Sequence, residues 1–400
     1  MIPRHRPPFG TVGLLQAGIR SCFRSGSVED LERQYRQQAD VRHAVWIPSA
    51  RYGITRTIQH VLPTHGEVVC PVFNCGAVHH AARETGRPIR FTDNAPTSFL
   101  MDCRGQAGDD NAVILSEMFG HRFSDSDLHQ PLVKKAAVRV FDMAMAIPTT
   151  VDMTRMQDDD VTVLSFGLGK IRYAGWGGMA LTQSDQIADM LRRNLALDAD
   201  QARLRNRLRW NLSMLLRTLA HEPAIYGPLR HRQMRRQRHA SDQATSFHTN
   251  SHEWHRSTTA LHVNICLRNL KTSPSCEATR CRLSDEYRRQ LRAFSEFMIL
   301  PPNESQPLSH FSIRVPGPAR DKLKDGLWRQ GIDAGTLFPF PHHECAARRF
   351  PDAARAAGEV LNLPLSNQLN RRTVIHICDV LKSAADRILH NAAPRHHHAA

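Results

Sequence analysis

The chain has 400 residues, a hydrophobic fraction of 41% and a formal net charge of +15. That length admits two domains and at least one large core, and the absence of any run of about 18 apolar residues excludes a membrane-spanning helix. The basic residues are spread along the chain without zinc-finger spacing, RNA-binding signature or basic heptads, which fits a protein handling an anionic substrate better than a nucleic-acid binder.

Ser27 is placed to cap a helix over Val28 to Gln38, whose apolar residues recur at helical spacing. Ala44 to Ile47 reads as a short strand, and Ser49-Ala-Arg-Tyr-Gly53 as a turn that opens a helix through Ile54 to Val61. Gly66 to Pro71 is a strand ended by proline, Val78 to Gly86 a helix, and Ile89 to Asp93 a strand. Ala112 to Ser116, Ala137 to Asp142, Val161 to Phe166 and Gly177 to Thr182 are further strands. Strands alternating with helices over about 160 residues predict an α/β fold with a mostly parallel sheet covered on both faces.

Beyond Ser184 the pattern changes. Ile187 to Arg217 reads as one long helical stretch rich in Leu and Arg, and residues 228–257, dense in Arg and His, as an exposed loop. Leu283 to Phe297 is helical. Phe311 to Val315 is a strand, Ala319 to Gly331 a helix, 339–343 a Pro/His-rich stretch, and Asn370 to about Leu389 a closing helix. These elements predict a smaller C-terminal α+β domain. The expected division is residues 1–240 for the large domain, 241–390 for the small one and 391–400, with Arg395 to His398, for a disordered tail.

Nine cysteines lie without paired spacing, and Cys70, Cys266 and Cys378 sit inside apolar runs, as reduced core thiols of a cytosolic protein do. The N-terminus has arginines, no acid before Glu29 and only a weak apolar patch from Val12 to Ile19, too weak for a signal peptide. A cytoplasmic location is expected.

The chemistry centres on Lys170. It ends Val161-Thr-Val-Leu-Ser-Phe-Gly-Leu-Gly-Lys170, and Gly175-Trp-Gly-Gly178 follows at once. Small residues beside the lysine let a flat ring approach the backbone. Asp142 ends the apolar run Val138-Arg-Val-Phe-Asp142, 28 positions earlier, which leaves room for one crossover between neighbouring strands. A buried carboxylate asks for a cationic partner. A lysine and an aspartate just beyond strand ends are the pair that pyridoxal phosphate (PLP) chemistry needs, the amine for a Schiff base and proton transfer, the carboxylate for a protonated pyridine nitrogen. Ser49-Ala50-Arg51 opens a helix whose free N–H groups suit a phosphate, with Ser165 as a further hydroxyl. No metal is expected: His252-Glu-Trp-His255 lacks zinc-protease spacing, and His79-His80, His342-His343 and Cys276 with Cys281 form no recognisable ligand set.

These residues resemble the DegT/StrS-type sugar aminotransferases, PLP enzymes of fold type I, in order along almost the whole chain. Gly26-Ser-Val-Glu-Asp-Leu-Glu32 resembles the family's opening helix, Ser49-Ala-Arg-Tyr-Gly-Ile54 its Ser-Gly-Thr phosphate turn, and Met118-Phe-Gly120 its His-Leu-Tyr-Gly segment. Gly66 to Phe73, Gly86 to Asp93 and Gly358 to Leu365 follow in the family's order. Asp142 falls on the pyridinium aspartate, and Ser165 to Lys170 with Gly175-Trp-Gly-Gly178 falls on the Schiff-base motif. The resemblance implies a homodimer with sites at the subunit interface, and amino transfer from glutamate to a keto sugar carried on a nucleotide. Lysine at 170 favours transamination over the dehydration of a relative that carries histidine there.

The departures fall around the ring and substrate. Ala50-Arg51 replaces Gly-Thr, Cys75 stands where relatives place an aromatic stacker, and Met145 takes a position usually held by Gln or His. Glu117 replaces a histidine and Trp176 an acid. Asn250 is the candidate for a partner-subunit asparagine that touches the phosphate. Arg172 is a candidate contact for an anionic substrate, with a solvated arginine as the equal alternative. The leading expectation is a PLP-dependent aminotransferase of polysaccharide or specialised-metabolite biosynthesis, acting on small molecules. The alternatives are the same cofactor with elimination, decarboxylation or condensation on an amino acid, and a non-catalytic regulatory or nucleic-acid-binding protein on the same fold.

Overall fold

Serine side chains cap helices of the N-terminal half. Ser27 accepts from the Asp30 N–H and Asp30 returns a bond to the Ser27 N–H, a capping box that opens helix Val28–Ala39. Ser49 caps helix Ala50–Val61 in the same way through the Tyr52 N–H at 3.3 Å. The computed structural model describes residues 1–23, 26–106, 108–148, 153–198, 204–239, 257–294, 298–302 and 306–392.

Seven strands form the main sheet: β1 (His43–Ile47), β2 (Glu67–Pro71), β3 (Ile89–Thr92), β4 (Asn111–Ser116), β5 (Val138–Asp142), β6 (Val161–Ser165) and β7 (Gly178–Thr182). Their order is β1-β7-β6-β5-β4-β2-β3, parallel except for β7, which runs antiparallel to both β1 and β6. β5 and β6 are parallel neighbours, as the spacing of Asp142 and Lys170 predicts. Every residue of β4, β5 and β7 is buried, the mark of a sheet covered on both faces. On one face Tyr52, Ile54 and Ile58 of helix Ala50–Val61 pack with Ile187 and Leu191 of helix Asp185–Asp198. On the other lie Leu14, Leu31 and Tyr35 from the two N-terminal helices, with Val263, Ile265 and Cys266. β8 (Phe311–Arg314) and β9 (Val360–Leu363) form a separate antiparallel pair over a third core with Leu323, Leu327 and Ile377.

Beyond the sheet the chain departs from the sequence reading in two places. Residues 223–239 are a helix, Pro223–His239, where an exposed loop was expected from 228; Arg, Gln and Met are good helix formers and carry it past the internal Pro228, though it has no apolar stripe. Residues 240–256 lie outside the described residues, as do the expected division at 240 and residues 393–400 of the tail expected over 391–400, whose first two residues belong to helix Arg371–Ala392. Within the stretch Ile187 to Arg217 the helices Asp185–Asp198 and Leu204–Ala220 are described, and residues 199–203 between them lie outside the described residues. The helix expected from Leu283 begins instead at Ala260 and runs 32 residues to Leu291. Thr259 caps it through the His262 N–H at 3.2 Å. Its buried face carries His262, Asn269, Ser273 and Arg280 and passes from the first core to the third, so no single apolar stripe marks it. A helix Gly10–Phe23 also precedes the first one expected.

Candidate active site

The parallel strands β4, β5 and β6 end at one cavity of about 340 Å³. Ser49, Ala50 and Arg51 line it from the N-terminus of helix Ala50–Val61, and Cys75 from the N-terminus of helix Gly76–Glu84. Asp142 and Met145 line it from the end of β5, and Ser165 and Lys170 from the end of β6. Eight of the nine site residues expected from sequence therefore share one cavity. The ninth, Asn250, lies outside the described residues.

Asp142 is buried and held rigidly. Ser116 Oγ donates to its Oδ2 at 3.0 Å and the Ala144 N–H to its Oδ1 at 3.1 Å. Asn74 Nδ2 donates to the same Ser116 Oγ at 2.8 Å, while its Oδ1 accepts from the Cys75 N–H at 2.7 Å. Burial pushes the Asp142 pKa above the ordinary carboxylate value; the Lys170 charge, the Ala144 amide and the Ser116 hydroxyl pull it back. Asn74 and Ser116 were not singled out from sequence.

The turn that carries Lys170 is shaped by glycine. Gly169 has φ +80° and Gly177 φ +81°, both left-handed. The Lys170 N–H bonds the Gly167 carbonyl at 3.3 Å, and the Ala174 N–H returns to the Phe166 carbonyl at 2.9 Å. A side chain at Gly178 would run into the Leu164 carbonyl oxygen, so the strand pair β6–β7 closes only with glycine there.

The departures from the family pattern have definite structural partners. Glu117 lines the cavity and pairs with Arg122 at 2.7 Å, both groups about 5% exposed. Trp176 lines the cavity and stacks on His262, with ring centroids 4.2 Å apart and planes at 14°. Its indole N–H donates to the Ser257 carbonyl at 3.2 Å, and His262 Nε2 meets the Trp176 carbonyl at 2.9 Å. Burial holds the His262 pKa down to about 4. Cys75 precedes its helix without a side-chain cap bond. Arg172, expected at the substrate, is instead buried away from the cavity, over the Tyr35 ring and 3.2 Å from Ser273 Oγ. Arg217 of helix Leu204–Ala220 supplies a cation to the cavity lining that was not foreseen. Among the described residues no group of three His, Cys, Asp or Glu side chains could hold a metal.

Comparison with curated proteins finds no match. The aminotransferase TlmJ of Streptoalloteichus hindustanus superposes with a TM-score of 0.71 at 18% identity, covering 97% of this chain and 100% of its own. The sugar aminotransferase CalS13 of Micromonospora echinospora gives 0.69 at 18% identity, with 96% and 100% covered. NtdA of Bacillus subtilis, with bound cofactor PMP, gives 0.67 at 17% identity, with 96% and 86% covered. The DegT/DnrJ/EryC1/StrS aminotransferase family model matches residues 16–217 and 226–382, and the chain belongs to that family.

Proposed function

We propose that this member of the family is a PLP-dependent aminotransferase that moves an amino group from glutamate to a nucleotide-linked keto sugar or a related carbonyl compound. The observation that carries the reading is the shared cavity of Lys170 and Asp142, with each carboxylate oxygen of Asp142 held by one donor. A buried carboxylate with a raised pKa fits a protonated pyridine nitrogen as its missing cation. The Ser49-capped helix N-terminus with Arg51 and Ser165 fits a phosphate. NtdA's bound PMP, the pyridoxamine form of the same cofactor, agrees with that donor set.

When bound, the cofactor supplies an electron sink that acidifies the substrate C–H bond. Asp142 would hold the ring nitrogen protonated. The Lys170 amine would form the covalent link to the cofactor and, once displaced by a substrate amine, would carry a proton. Ser49, Ala50, Arg51 and Ser165 would anchor the phosphate, and Cys75 and Met145 line the same cavity. Met145 offers no hydrogen-bond donor, and this favours a second reading in which the same cofactor drives elimination, decarboxylation or condensation.

The quaternary state we propose is a homodimer. Helix Gly10–Phe23 exposes Val12, Leu15, Ile19 and Phe23, and the adjacent helix Leu204–Ala220 exposes Leu208, Leu212 and Leu216, an apolar surface that a second copy would cover. No described helix is long and apolar enough to cross a membrane. We place the enzyme in the cytoplasm, in polysaccharide or specialised-metabolite biosynthesis.

The test is spectroscopic. Purified protein with added PLP should show a visible absorption band that borohydride bleaches, and Lys170→Ala should lose the reducible linkage. Glutamate should convert the band to that of the pyridoxamine form with release of 2-oxoglutarate. A bleachable lysine adduct retained in Lys170→Ala would sink the assignment, and a band unmoved by glutamate would favour the second reading.

A further inference from the structure

Three histidines gather behind the turn that presents Lys170. His5 belongs to an N-terminal strap, residues 1–9, laid across the molecule. The Ile2 N–H donates to the Gly331 carbonyl at 2.7 Å and the Asp333 N–H to the Ile2 carbonyl at 3.0 Å. Arg4 pairs with Asp333 at 3.2 Å and Arg6 with Glu222 at 2.5 Å. So tethered, the His5 ring reaches the backbone just before the lysine: a Cβ built on Gly169 would lie 3.7 Å from His5 Cε1. The His5 ring is 5.1 Å from His221, nearly stacked, and 6.3 Å from His310, edge-on.

Neither ring nitrogen of His5 has a hydrogen-bond partner, nor has Nε2 of His310, and all three atoms are fully buried. His310 Nδ1 meets Ser309 Oγ at 3.2 Å. Buried polar atoms in native structures are nearly always satisfied; His5 has one unmatched lone pair beside its N–H, and His310, in the tautomer whose Nδ1–H donates to Ser309 Oγ, has another at Nε2, so two lone pairs here call for a donor. The surroundings keep the rings neutral. Burial first, then His221 and Arg4, hold His5 down to about 3, with Arg230 acting the same way and Asp333 opposing. Burial, then His5, Arg4, Arg280 and Lys170, hold His310 well below the ordinary histidine value. A neutral imidazole keeps one lone pair to offer. A lysine ammonium is a donor that brings its own proton and needs no change in either ring.

We propose that His5 and His310 are positioning residues for Lys170: they accept hydrogen bonds from its amine once a substrate amine has displaced it, and hold it for proton transfer. The inference rests on the proposed PLP reading and concerns only where the freed lysine is received. No proton or covalent bond changes hands between the imidazoles and the lysine.

The experiment compares wild type with His310→Phe, His310→Gln, His5→Phe and His5→Gln, each loaded with PLP. Phenylalanine keeps the ring volume and removes the acceptor, while glutamine restores one. Loss of the acceptor is expected to lower kcat with glutamate about tenfold. It should also move the kcat–pH profile at saturating glutamate by about half a unit or more, leaving the pH midpoint of the lysine-linked visible band and KM nearly unchanged, with glutamine recovering most of the loss. A folded His310→Phe whose kcat–pH profile matches wild type, or whose lysine-linked band shifts its pH midpoint instead, overturns the inference. If that variant does not fold, His5→Phe on the strap decides by the same readouts. Wild type without a visible band overturns the cofactor reading and this inference together; a normal wild-type band with unmoved variants overturns this inference alone.

Discussion

Ser116 Oγ sits 3.0 Å from Asp142 Oδ2 and is itself held by Asn74 at 2.8 Å, so two side chains from neighbouring strand ends and a loop fix one carboxylate oxygen. Ser116 and Asp142 are also register partners across the parallel β4–β5 ladder. The direction of that carboxylate is therefore set by the sheet rather than by a flexible loop.

Ser116→Ala removes the donor to Asp142 and leaves Asn74 Nδ2 without its acceptor. On the proposed reading, PLP affinity should fall about tenfold, the worth of roughly one net hydrogen bond to a charged group. A cofactor titration followed by absorbance checks this. Affinity equal to wild type would mean that Asp142 holds its orientation through the Ala144 amide alone.

Asp142→Asn should separate stability from function. Because the folded pKa of Asp142 is raised above its unfolded value, its protonated form is favoured in the native state, and stability is lost as pH rises above the unfolded value near 4. Removing the charge should stabilise the cofactor-free protein at neutral pH by about 1–2 kcal/mol. The same change should abolish productive cofactor binding. Denaturant melts of both proteins at pH 7 without cofactor provide the comparison.

Glu117→Ala leaves Arg122 buried beside the cavity without its carboxylate. Breaking such a pair typically destabilises by about 3–5 kcal/mol, and contacts of Arg122 to Gln306, the Ile147 carbonyl and Met143 Sδ offer partial compensation. A loss near 3 kcal/mol is expected in urea titrations. A loss under 1 kcal/mol would show that the ion pair is well solvated in solution.

Acid should destabilise the protein through His262. Its folded pKa, about 4, lies below the unfolded value, so its contribution is intact above pH 6.5 and is lost as pH falls towards 4. The loss should reach about 2 kcal/mol by pH 5 from this residue alone. His262→Phe, which can keep the stack on Trp176, should show a shallower decline between pH 7 and 5. Equal declines in both proteins would assign the effect to other buried histidines.

The sheet was legible because its strands are short apolar runs ended by proline, glycine or polar residues, and because strand–helix alternation has few solutions. Lys170 and Asp142 were legible because a charge at the end of a buried strand needs a reason. Asn74 and Ser116 act through neighbours, and no local pattern marks them. His5 is the extreme case: it meets Gly169 and His310 only through the path of the strap. Arg172 misled because its closeness to Lys170 in sequence says nothing about which side of the turn it leaves, and it leaves towards Tyr35. The helix Pro223–His239 was hidden by its even scatter of arginines.

The helix from Ala260 to Leu291 has a further consequence. At 1.5 Å per residue its 32 residues make a rod about 48 Å long. One end carries His262, stacked on Trp176 in the cavity wall; the other carries Tyr287, stacked on Phe311 of β8. On the proposed reading, a tilt of the β8–β9 layer would reach the indole in the cavity wall through this helix, with Pro274 midway as a place where it can bend. Substitutions far out at Tyr287 should therefore register in the fluorescence of Trp176 before they register in the sheet.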